Sequence, residues 1–215
     1  MGVIVQPDEG SGGRKAPGPR DLSAPAREGG LARTRADAAE WCRGRSWIWR
    51  APLLLYLAYV GIRHLGDPSY GSLFAGITFG IHELGHLILS GAGRFLAIAG
   101  GSLAQIAAPA AAGLLLLRQR DYFGLTVAGA WLAFSLYNLA TYIGDARLQD
   151  LPLLGFTEDP VHDWNALLSM LGILSWDSAL AFLTRATAFV IWGASLAFGL
   201  WLCWRMAAEK RAATR

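Results

Sequence analysis

Apolar residues along this chain come in long blocks separated by short polar breaks. Soluble amphipathic helices alternate faces every few residues, whereas blocks of about 20 apolar residues read as membrane-spanning helices. Five such blocks stand out, at roughly 47–64, 71–91, 101–117, 122–144 and 180–204. The pattern predicts an all-α polytopic membrane protein with about five transmembrane helices, four to six being compatible with it. Trp47, Trp49, Trp201 and Trp204 sit at block ends, where amphipathic rings favour the headgroup level. "AGRFLAIAGG", between blocks two and three, reads as an extended or re-entrant piece ending at a Gly100-Gly101 break. The longest polar interval, 145–177, holds one short apolar segment, "NALLSMLGILSW".

Outside the blocks the composition changes. Residues 1–46 are rich in Gly, Pro, Ala and Arg and predict a disordered basic tail, with "ADAAEWCRGR" as a short interfacial helix leading into the membrane. They show neither the apolar core nor the cleavage site of a signal peptide. Residues 47–204 form the membrane domain and 205–215 a basic C-terminal tail. Only 16% of the 215 residues are charged, well below a soluble domain's share of about a quarter. The net charge of +3 comes mainly from arginines beside the blocks, which suits a lipid bilayer and its headgroups rather than nucleic acid. Cys42 and Cys203 make neither a disulfide framework nor a zinc knuckle. Arginines before block one place the N-terminus in the cytoplasm. Five spans would then put Arg205, Lys210, Arg211 and Arg215 outside, a conflict with the same rule.

Block two contains "FGIHELGHLILSG", with three ionisable side chains in five residues of an apolar helix. Each costs a few kcal/mol at the bilayer centre unless it is paired or bound to metal. His82 and His86 lie one helical turn apart on one face and can grip a single ion. Glu83 stands beside the first histidine, placed to act as a base without being a ligand. This is the H-E-x-x-H arrangement of zinc hydrolases. With four His and six Glu in the chain, a chance match is expected only roughly two times in a thousand. Gly76, Gly80 and Gly85 would let a neighbouring helix approach this segment closely.

"HELGH" inside a membrane helix resembles the site-2 protease family of intramembrane zinc metalloproteases. The resemblance runs from about residue 71 to about 150 and includes the Pro-bearing "GGSLAQIAAPAAAG" and a later helix ending near an aspartate. It implies Zn2+ as cofactor and a membrane-protein substrate with a transmembrane segment. It also implies a third metal ligand from a downstream aspartate, for which Asp145 in "YNLATYIGDARLQDLPL" is the counterpart. The residue after it is Ala146 rather than the family's glycine. Asp150, Glu158, His162 and Asp163 compete for that place. His162 and Asp163, in "VHDW", read more readily as a cap or a support for a ligand. Asn138 is a candidate donor to a tetrahedral oxyanion, or interhelical glue. Arg185 reads as snorkelling to the interface.

These residues predict a zinc metalloendopeptidase of a bacterial plasma membrane, hydrolysing a peptide bond in or near the bilayer with Glu83 as general base. The alternative is a catalytically silent protein of the same fold that binds a partner helix or stores metal. A silent protein has no use for Glu83.

Overall fold

The computed structural model describes residue 2, residues 30–152 and residues 162–213. All regular structure among them is helical. In chain order the helices are α1 (Gly30–Trp41), α2 (Ala51–Gly66), α3 (Leu73–Leu89), α4 (Arg94–Arg118), α5 (Tyr122–Gly144), α6 (Asp163–Met170) and α7 (Asp177–Ala213). Four stretches are long and apolar enough to cross a bilayer: Leu73–Ala92, Arg94–Arg118, Tyr122–Gly144 and Leu174–Ala212. The chain is thus an all-α polytopic membrane protein. α2, at 16 residues, spans about 24 Å and falls short of a hydrocarbon core about 30 Å thick.

Local chemistry sets the helix ends. The Ser72 hydroxyl accepts from Phe74 N at the start of α3, and Asp121 accepts from Gly124 N at the start of α5. A 3-10 turn, Ser90–Ala92, and Gly93 at φ +94° reverse the chain between α3 and α4. The expected extended piece is therefore absent. "AGRFLAIAGG" forms this reversal and the first turns of α4, which runs unbroken through Gly100 and Gly101. These glycines do not end the helix, because missing side chains here serve packing. A Cβ on Gly85 would meet the Gly100 carbonyl oxygen, and one on Gly100 would meet that of Gly85, so the two backbones touch. Gly76 and Gly80, expected to do this work, face open space.

α5 is the central helix, buried along most of its length against α4 and α7, with Ala130, Ala133, Phe134 and Ser135 fully enclosed. Large apolar side chains instead point outward, among them Leu73, Leu87 and Ile88 on α3. That inversion suits lipid, where exposing a leucine costs nothing and close packing selects small residues. Arg185 does not simply snorkel: it donates to Thr141 Oγ1 (3.0 Å) and lies 6.0 Å from the Tyr137 ring centroid.

Both termini of the membrane domain differ from expectation. Disorder as far as residue 46 does not hold, since α1 docks on the end of α7. Ala38 and Cys42 are fully buried there with Leu202 and Met206, and Cys42 Sγ lies 3.7 Å from the Leu202 carbonyl. The earlier part of that tail lies outside the described residues, apart from residue 2. The basic C-terminal tail is, through Ala213, a continuation of α7, whose 37 residues (about 56 Å) outrun the membrane. Trp41 packs edge-on against Tyr122, and Tyr122 against Phe198, which gathers α1, the start of α5 and the end of α7 at one end of the bundle. The two basic flanks therefore share a side, and the orientation conflict of a five-span count disappears.

Candidate metal centre

The other end of the bundle holds the ionisable cluster. On α3, His82 and His86 project one turn apart towards the beginning of α4, where Gly101 leaves room: a Cβ there would meet Nε2 of both rings. The third member comes from α6. Asp163 Oδ2 lies 3.1 Å from His82 Nε2 and 3.1 Å from His86 Nε2, and the two Nε2 atoms are 3.0 Å apart. The His82 and Asp163 side chains are each 11% exposed, and that of His86 26%. Among the described residues, no other group of three His, Cys, Asp or Glu side chains converges in this way.

Hydrogen bonds around the rings decide what those three atoms carry. His86 Nδ1 is 2.8 Å from the Ala97 carbonyl, which can only accept, so Nδ1 bears the proton. Gln105 Nε2 donates to the Ser135 carbonyl (3.0 Å), fixing the amide so that Oε1 accepts from His82 Nδ1 at 2.8 Å. In the neutral rings both Nε2 atoms are therefore bare lone pairs, facing each other and a carboxylate oxygen. Only a cation among them, a metal ion or a proton, reconciles three acceptors at such distances. Tetrahedral ligands 2.0–2.1 Å from a zinc ion stand about 3.3 Å apart, close to the observed triangle. Both Nδ1–H groups are held in the manner of ligating histidines, one by an amide and one by a backbone carbonyl. The residues fit a metal.

Asp145, taken as the third ligand from the family resemblance, is not in the triangle. It caps the C-terminus of α5, where its carboxylate accepts Asp150 N (2.9 Å) and Leu151 N (3.1 Å). Its Oδ2 also lies 3.3 Å from His162 Nε2. His162 is a cap, as expected, accepting from Asn165 N at the start of α6. Asp163, by contrast, reaches the histidines directly rather than supporting a ligand. Asp150 is exposed in the turn beyond α5, and Glu158 lies outside the described residues. Asn138 is half-buried one turn before Tyr142 on α5, with no hydrogen-bond partner among the described residues. Glu83 is likewise half-buried, has no such partner, and lies within electrostatic reach of His82 and Tyr142.

Several positioning residues escaped the sequence reading. Tyr142 Oη accepts the backbone N–H of Asp163 (3.0 Å), and its ring packs 4.3 Å from that of His162. Trp164 Nε1 donates to Ser102 Oγ (3.1 Å), and Asn165 Nδ2 to the Ala146 carbonyl (2.8 Å). These contacts tie α6 to α4 and α5 and aim Asp163 at the histidines. A lone glutamine in the apolar "GGSLAQIAAP" was the one available sign of Gln105, since an intramembrane amide needs a partner. Nothing local marked Tyr142.

No protein-family model, curated protein or solved structure matches the chain. The functional reading rests on the residues themselves.

Proposed function

We propose that this protein is a zinc-dependent endopeptidase of the membrane, resembling the site-2 proteases, with His82, His86 and Asp163 as its metal ligands. The observation that supports it is the triangle of two imidazole Nε2 atoms on one H-E-x-x-H helix and a carboxylate oxygen from α6, all within 3.1 Å of one another. The same donor set suits iron(II), but Glu83 next to the first ligand favours hydrolysis over oxygen chemistry. Bound there, zinc would lower the pKa of a coordinated water to about 7 and polarise a substrate carbonyl. The chain's own residues do the rest. Glu83, uncommitted among the described residues, takes the water's proton on its carboxylate and passes it to the leaving amine. Asn138, facing the same side of α5 as Tyr142, is placed to hold substrate backbone or the developing oxyanion. The substrate is a membrane protein whose helix must unwind to expose a peptide carbonyl.

Glu83→Gln tests this reading. The amide cannot accept a proton, so cleavage of a membrane-anchored substrate should fall by about 10²–10⁴-fold while metal content stays as in wild type. Cleavage at the wild-type rate would remove Glu83 from the chemistry.

A further inference from the structure

The two ends of the bundle differ in charge. At the α1 end, α1 and the turn after it carry Arg33, Arg35, Arg43, Arg45 and Arg50. The α4–α5 turn adds Arg118 and Arg120, and α7 ends with Arg205, Lys210 and Arg211. Contacts place all three segments together: Arg120 Nη2 lies 3.9 Å from Asp37 Oδ2, and Cys42 sits on Leu202. Towards the opposite end stand only Arg63, Arg94, Arg147 and Arg185, so the described Lys and Arg divide ten against four. Loops rich in Lys and Arg stay on the cytoplasmic side, and the bias counts positive residues rather than net charge.

The metal cluster belongs to the poorer end. His86 bonds the first turns of α4, Asp163 begins α6, and Tyr142, two residues from the end of α5, touches both Asp163 and His162. Arg147 in the turn after α5 pairs with Asp177 at the start of α7 (2.7 Å) at this same end. All these positions lie at helix ends far from α1. We infer that the metal centre faces the extracytoplasmic side of the membrane, so that water and the substrate segment reach it from there. Resting on the peptidase reading, this narrows the substrate class to membrane proteins whose cleavable segment lies at or near the extracytoplasmic surface.

The test is thiol labelling in intact bacterial cells expressing the full chain, using a membrane-impermeant maleimide. Leu148, 73% exposed beyond α5, and Gln119, exposed between α4 and α5, take no part in the metal centre and are replaced singly as Leu148→Cys and Gln119→Cys. Cys42 and Cys203 are buried, so the unsubstituted chain supplies the background. Leu148→Cys is expected to label in intact cells, and Gln119→Cys only after permeabilisation. Labelling of Gln119→Cys in intact cells, or of Leu148→Cys only after permeabilisation, overturns the inference. Neither result touches metal binding or peptidase activity, which are measured on purified protein, so the two readings fail separately.

Discussion

Asp163→Ala is expected to empty the metal centre, while Asp145→Ala leaves it filled at reduced affinity. Removing Asp163 leaves two imidazoles, and a tetrahedral hydrolytic site with only two protein ligands lacks the usual third anchor. Asp145 acts at one remove. Its carboxylate ties down Asp150 N and Leu151 N and lies against His162, the residue before Asp163. Loss of such a support costs about 10- to 100-fold in metal affinity, and loss of the ligand more than that. Zinc titrations of the two variants in detergent, beside wild type, measure the difference. An empty site in Asp145→Ala with a full one in Asp163→Ala would assign the ligand to the end of α5 and break the triangle described above.

Gly101→Ala is the second change with a large effect, and it separates site from fold. The added methyl meets Nε2 of His82 and of His86, the atoms that would hold the ion. Those rings are pinned on their far sides by Gln105 and the Ala97 carbonyl, so they yield only by leaving the ligand geometry. Most metal binding should be lost, with little change in the thermal unfolding of the metal-free protein. Gly85→Ala provides the contrast. Its methyl meets the Gly100 carbonyl, so two backbones must part, at about 1–3 kcal/mol of overpacking strain. If Gly101→Ala binds zinc like wild type, the ion does not lie between these rings.

Features written in local spacing were legible in the sequence; those set by distant contacts were not. The apolar blocks gave the helical membrane class, and His82, Glu83 and His86 declared themselves because i and i+4 meet on any helix. The third donor depends on where α6 lands, some 80 residues later in the chain. Asp145, Asp150 and Asp163 are chemically alike, and nothing between them tells which one faces α3. The resemblance favoured an aspartate at a helix end, and that aspartate proved to be a cap. A short helix over "ADAAEWCRGR" was legible, but its start at Gly30 and its docking on α7 were not, because the small Ala38 and Cys42 meet Leu202 and Met206 only through the distant fold. Gly100 and Gly101 read as a break for a related reason. In a membrane helix, glycine more often marks where another backbone comes close.

Metal content tests the account most directly. Wild type purified without chelators is expected to carry about one zinc ion per chain, and His86→Ala close to none, as measured by elemental analysis of the folded protein. A wild-type protein that is folded, metal-free and takes up no zinc on titration would mean that His82, His86 and Asp163 share a proton instead, and would contradict the metal centre outright.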